Sequence, residues 1–271
     1  MAKATKSAKG ASKSGRKRGA GKASKASKTT RAAAKPAKPI VMVVEGDSWE
    51  RLPDWGPKGL PTVGGTNFDL SRALQARGHI IHNLAYWGDT IADIARAGDY
   101  VLALRHTKAP FLLLGGGGND ILGEGRLKTY LRLFAPEREP GDYILDTFYS
   151  DLRRVILHYV TILDRIAADP AIKNTKVIVH GYDYGRPMRL GWIGEPMEFV
   201  GIGWDRPELQ NGIVKILIDA LNTELAALAA KRDKVIYVDF RNKVGNRWHD
   251  ELHPRREAFD DLASILEAAV A

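Results

Sequence analysis

Beyond Pro39 the chain alternates short apolar, β-branched runs with longer stretches whose apolar residues recur every three or four positions. Few architectures accept that alternation; it is the pattern of repeated βα units wound on a mainly parallel sheet. Residues 40–44, Ile-Val-Met-Val-Val, predict a first strand covered on both faces. Residues 66–77 predict a helix with Thr66 and Asp69 in capping-box positions and Gly78 as its stop. A second strand is expected at 79–84, a helix from Asp89 through Ala92, Ile94 and Ala95, and a third strand at 111–114. Leu152, Val155, Ile156, Tyr159, Ile162, Leu163 and Ile166 share one helical face, so a long helix should cover 147–168, closed by Pro170. Strands at 176–180 and 235–239 flank a helix at 209–231, and a last helix runs over 255–270. Five parallel strands in the order 2-1-3-4-5, a flavodoxin-like three-layer α/β/α sandwich, are the simplest arrangement.

The net charge of +9 belongs to one end of the chain. Residues 1–39 hold ten Lys, three Arg and no acid, which leaves 28 basic against 32 acidic side chains, or −4, for residues 40–271. The body is therefore a mildly acidic domain behind a basic Lys/Ala/Ser-rich tail. That tail has too few apolar groups to offset the entropy of ordering, so disorder is expected there. Two readings of it are open: non-specific contact with a polyanion such as nucleic acid, as in histone H1-like tails, or a solubilising extension with no specific partner. The absence of cysteine excludes disulfides, thiolate nucleophiles and zinc–thiolate sites. No apolar run approaches the roughly 20 residues of a membrane span, and residues 1–39 lack the apolar core of a signal peptide. A cytoplasmic location is the expectation.

Open α/β sheets take their ligands beyond the carboxyl ends of the strands. Four blocks fall there: Gly46-Asp47-Ser48 after the first strand, Gly88 after the second, Gly117-Gly118-Asn119-Asp120 after the third, and Asp250-Glu251-Leu252-His253-Pro254 after the fifth. A serine oxygen is a poor nucleophile until a base takes its proton, and the base needs a carboxylate to fix its tautomer. Ser48, His253 and Asp250 are the candidates for those three roles. The three-residue step from Asp250 to His253 would set both on one side of a helical turn, with Pro254 in the first turn of the last helix. Gly115–Gly118 lacks the lysine and helix signals of a phosphate-binding loop, so it reads as a tight turn presenting Asn119. Asp47 and Asp120 are expected to brace their loops by accepting backbone N–H bonds.

These blocks, in this order, resemble the GDSL/SGNH hydrolases, whose pattern is Gly-Asp-Ser, a lone glycine, Gly-x-Asn-Asp and Asp-x-x-His. The likeness runs from about residue 40 to the C-terminus; the family often has leucine after the serine, where this chain has Trp49. The resemblance implies the flavodoxin-like fold and an oxyanion hole built from the backbone N–H groups of Ser48 and Gly88 and the side-chain amide of Asn119. It implies no cofactor and no metal. No Gly-x-Ser-x-Gly elbow occurs in the chain, which argues against the α/β-hydrolase superfamily.

Of the other histidines, His249 lacks a partner in a matching motif. His79, His82, His106, His158 and His180 read as structural or surface residues without metal-ligand spacing. All six tryptophans fall in expected loops, and Trp49, Trp87 and Trp248 lie close in sequence to the catalytic candidates. They could form an aromatic rim for a sugar, acyl or aryl group, or they could anchor long loops, as could Trp55, Trp192 and Trp204. Residues 123–141 and 182–207 are long, rich in Gly, Pro and Arg, and placed after strands 3 and 4 as candidate lids. Arg186 and Arg189, on the second of them, could meet an anionic substrate or stand solvated. The expected activity is hydrolysis of a small-molecule, carbohydrate or lipid ester through an acyl-enzyme on Ser48. The alternatives are acyl transfer to an alcohol by the same residues, or polyanion binding through residues 1–39.

Overall fold

The computed structural model describes residues 38–52 and 68–270. The tail at 1–37, Trp55 and Thr66 lie outside the described residues. Five parallel strands, β1 (Val41–Glu45), β2 (Ile80–Asn83), β3 (Phe111–Leu114), β4 (Lys176–His180) and β5 (Val235–Val238), form one sheet in the order β2-β1-β3-β4-β5. This is the topology the sequence predicts. Glu45 pairs with Leu114, Leu114 with Val179, and His180 with Val238, so the carboxyl ends of four strands finish along one edge.

Eight helices are found among the described residues: α1 (Leu70–Ala76), α2 (Ile91–Ala97), α3 (Asp99–Thr107), α4 (Gly118–Leu122), α5 (Asp146–Ala168), α6 (Gly194–Phe199), α7 (Pro207–Ala229) and α8 (Arg256–Val270). They cover the two sheet faces: α1 packs on α8, while α2 packs on α5 and α5 on α7. The face of α5 predicted from its period is the buried one, from Phe148 through Leu152, Val155 and Tyr159 to Ile166. Each such side chain removed from water contributes about 1.5–3 kcal/mol. No helix of the described residues is long and apolar enough to cross a membrane.

Three expected helix starts shift, each for a capping reason. Asp69 is extended (φ −140°, ψ −179°) and its side chain accepts the N–H of Arg72, so it is the N-cap and α1 begins at Leu70, not at 66. Thr90 and Asp93 form a reciprocal capping box, which starts α2 at Ile91 and leaves Asp89 in the preceding turn. Pro254 does not enter α8. It forms an antiparallel bridge with Trp248, and the Arg255 N–H donates to the Arg247 carbonyl (2.8 Å), so helix begins only at Arg256. The sequence reading missed α3: only Tyr100 and Leu104 are buried on it, too sparse a stripe to register as a period.

Candidate active site

The strand ends bring the separate blocks together. Ser48 follows β1, and its Oγ lies 2.8 Å from Nε2 of His253. Nδ1 of His253 lies 2.8 Å from Oδ2 and 3.0 Å from Oδ1 of Asp250. A carboxylate accepts only, so Nδ1 carries the proton and the lone pair on Nε2 faces the serine hydroxyl. The Asp250–His253 step is not a helical turn. Asp250 Oδ1 accepts the backbone N–H groups of Leu252 and His253, both at 2.8 Å, and the His249 N–H donates to the His253 carbonyl (2.8 Å). The short side chain of an aspartate reaches its own following backbone, and that turn aims the ring. Burial alone would raise the Asp250 pKa, but the His253 ring and the two backbone N–H groups hold it below the usual carboxylate range.

Gly88 stands at φ +90°, a conformation that calls for glycine, and a Cβ there would meet nothing within 4 Å. Its loop is tied on both sides. The Tyr86 N–H donates to the Gly46 carbonyl (3.2 Å), the Asn119 amide donates to the Asp89 carbonyl (2.9 Å), and Asp120 Oδ2 accepts the Ile91 N–H (2.8 Å). One amide hydrogen of Asn119 is thereby used, and the other has no protein acceptor among the described residues. The backbone N–H groups of Ser48 and Gly88 donate to no protein acceptor among the described residues.

The Ser48 turn rests on a buried polar network of which the sequence shows the bracing aspartate, Asp47, but not its partners Tyr182, Glu50 and His180. Asp47 Oδ1 accepts the Trp49 N–H (2.9 Å), and Asp47 Oδ2 accepts the Tyr182 hydroxyl (2.6 Å), which itself accepts the Gly118 N–H (3.3 Å). Burial, reinforced by the nearby Glu50 charge, pushes the Asp47 pKa up to about 6. Glu50 is fully buried: one carboxylate oxygen accepts the Asp47 N–H (3.1 Å) and the other lies 2.6 Å from Nε2 of His180. His180, expected as an ordinary structural or surface histidine, is thus a buried partner of the Ser48 turn. Glu50 and His180 lie 130 positions apart, and no local pattern joins them.

The tryptophans divide. Trp49 is 3% and Trp248 7% exposed; they pack on each other at 6.2 Å between ring centroids and are wall rather than rim. Trp49 Nε1 donates to the Leu252 carbonyl (2.9 Å), which ties the Ser48 turn to the loop carrying His253. Trp87 is 44% exposed and stacks on Tyr86. Trp192 stands edge-on to the His253 ring at 6.1 Å. The two candidate lids pack on each other: α6 lies on the 3-10 turns of Gly123–Thr129, and the Phe134 N–H donates to the Val200 carbonyl (2.8 Å). Arg186 and Arg189 are exposed, as is His249. No group of three His, Asp or Glu among the described residues is placed to hold a metal ion.

No protein-family model and no curated protein matches the chain. Solved structures do. The lipase Lip_vut3 from a goat rumen metagenome is 12% identical, covers 85% of this chain and 97% of its own, and superposes with a TM-score of 0.53. A candidate acylhydrolase from Bacteroides fragilis NCTC 9343 is 17% identical over 88% of this chain and 90% of its own, with a TM-score of 0.52. A Ser→Ala catalytic mutant of Axe2, an acetylxylan esterase from Geobacillus stearothermophilus, is 13% identical over 88% and 97%, with a TM-score of 0.50. The chain shares the fold of these structures. At these identities the likeness is one of architecture, and the chemistry of this chain rests on its own side chains.

Proposed function

We propose that the protein is a serine ester hydrolase in which Ser48 is the nucleophile, His253 the general base, and Asp250 the carboxylate that orients it. The observation that carries this reading is the unbroken hydrogen-bonded line from Ser48 Oγ through the His253 ring to Asp250. His253 takes the serine proton as Oγ attacks the ester carbonyl, and the carbonyl oxygen becomes an oxyanion facing the N–H groups of Ser48 and Gly88 and the amide of Asn119. Collapse of this intermediate breaks the ester C–O bond, and the imidazolium gives its proton to the departing alkoxide. Water, deprotonated by the same ring, then releases the acid from Ser48. No metal takes part, and the substrate is a small-molecule, carbohydrate or lipid ester.

Ser48→Ala should lose at least about a thousandfold in nitrophenyl-ester hydrolysis and all labelling by a fluorophosphonate, with wild-type activity unaffected by chelator. Activity should fall on acidification, because an imidazolium cannot accept the serine proton. Retained hydrolysis in Ser48→Ala refutes the assignment. The same residues would support acyl transfer if an alcohol outcompetes water, which transfer product in the presence of a sugar or simple alcohol would reveal. The thirteen basic side chains of residues 1–39 would add salt-dependent contact with polyanions that leaves ester cleavage unchanged.

A further inference from the structure

Ser48 and Asn119 line an apolar cavity. Trp49, Trp248 and Leu252 form part of its wall, and the remaining apolar lining comes from four places. Ile121 and Leu122 belong to α4, Leu127 to the turn after it, Ile193 to the loop before α6, and Val214, Leu217, Ile218 and Leu221 to α7. Leu127, Ile193, Val214, Leu217 and Leu221 are buried, so the cavity is an interior slot. Two polar groups that could hold water there are otherwise engaged: Tyr182 donates to Asp47, and Asp183 accepts the N–H groups of Asn242 and Val244. An apolar slot of this kind stays dry and favours apolar guests.

Resting on the serine-hydrolase reading, we infer that this slot holds the acyl part of the substrate, and that the substrates are esters of unbranched acyl chains of medium length. Which half of the ester enters is decided by His253. The base must protonate the leaving oxygen, so the alcohol departs on its side, and His253 is absent from the slot lining. Trp192, edge-on to that ring, stands on the alcohol side and lines a separate surface hollow with Leu190 and Phe199. The α7 wall from Val214 to Leu221 covers eight residues, seven rises or about 10 Å of helix. An extended alkyl chain advancing roughly 1.25 Å per carbon covers that distance in about eight carbons. A sugar acid finds too few polar partners for its hydroxyls there.

The test is kcat/KM of the full-length enzyme on two series: nitrophenyl esters from acetyl to hexadecanoyl, and acetate esters of alcohols of rising length. The expected profile climbs about three- to fourfold per added acyl methylene, peaks near eight carbons, falls beyond about ten, and stays flat along the alcohol series. Leu217→Trp, which fills the slot from α7, should cut the octanoyl-to-acetyl ratio at least tenfold. Val214→Leu is the milder variant should circular dichroism show Leu217→Trp unfolded, with the ratio falling at least threefold. Highest activity on acetyl esters, or a climb with alcohol length, overturns the inference. The two failures stay distinct: activity surviving in Ser48→Ala removes the hydrolase reading, whereas Ser48-dependent activity that prefers acetate removes only the acyl slot.

Discussion

Glu251 lies between the two polar members of the histidine loop, yet its carboxylate turns inward and is 1% exposed. It accepts three backbone N–H groups: Met188 and Gly194 (2.9 Å) on one oxygen, and Ile193 (2.8 Å) on the other. Its own carbonyl accepts the Arg186 N–H at 2.9 Å. One residue therefore closes the loop that carries Trp192 against the catalytic ring. Glu251→Ala strips all three acceptors. The N–H groups of Ile193 and Gly194 are buried, and each orphaned donor costs about 1–3 kcal/mol. Met188 is half exposed, so water can take over its N–H and it adds little. The sum is about 2–6 kcal/mol, which in a domain of this size lowers Tm by roughly 2–4 °C per kcal/mol.

Glu251→Gln keeps the shape and one acceptor oxygen, losing a single bond. Burial raises the Glu251 pKa against the pull of the three N–H groups, so the ionised carboxylate is worth less to the fold than its bonds suggest. The glutamine penalty should then sit near about 1 kcal/mol. Urea unfolding at neutral pH, with kcat/KM measured alongside, checks the order wild type, Gln, Ala in both stability and activity. A Glu251→Ala protein within about 0.5 kcal/mol of wild type would refute the reasoning, because the loop would then be held by something other than this carboxylate.

Two further perturbations probe the buried acids at the end of β1. Burial, with the Asp99 carboxyl beside it, pushes the Glu45 pKa up to about 9, and one of its oxygens has no partner. Between pH 4.5 and 9 the folded state binds the extra proton, so this residue withdraws stability as pH rises, at up to about 1.4 kcal/mol per unit. Glu45→Gln should match wild type near pH 4 and exceed it by a few kcal/mol at pH 8; unfolding curves showing an equal difference at both values contradict this. Gly115→Ala would put a Cβ 2.5 Å from a carboxylate oxygen of Glu50. It should cost about 1–3 kcal/mol and lower kcat more than it raises KM, and an unchanged kcat would show that Glu50 does not set the nucleophile turn.

Much of this was legible in the sequence because it is locally coded. The strands are short apolar runs, the long helices have a clean period, and the blocks carrying Ser48, Asn119, Asp250 and His253 each sit at a strand end fixed by topology. What escaped was coded over distance or by exception. Glu251 looks like a spacer within Asp-x-x-His, and nothing nearby says that it bonds to residues about 60 positions earlier. Trp49 next to Ser48 suggests a substrate contact; it does line the cavity beside Ser48, but its ring also packs among His180, Tyr182, Phe240, Trp248 and Phe259, which no local pattern foretells. The turn at Asp250 was misread as helical because i and i+3 are neighbours in a helix as well as in an aspartate-capped turn.

The Glu50–His180 pair explains why the nucleophile turn has the shape it does. His180 Nδ1 lies 2.9 Å from the Gly181 carbonyl, so that nitrogen carries a proton; Nε2, facing Glu50, then either donates to a carboxylate or accepts from a carboxylic acid. Burial lowers the His180 pKa, but the Glu50 charge and hydrogen bond outweigh it and the net direction is up, which favours the charged pair. A buried pair costs about 3–5 kcal/mol when one partner is removed, so the pair persists only if the fold holds both members. Strand β4 fixes His180 and strand β3 leads into Gly115, where only a missing Cβ leaves room for the Glu50 carboxylate. Glu50 in turn holds the Asp47 N–H, one residue before Ser48. The position of Ser48 is thus set from beneath by the ends of three adjacent strands, while His253 reaches it from a loop anchored by Trp49 and Glu251. The two halves of the site are built on separate supports, and the 2.8 Å contact between Ser48 and His253 is where they meet.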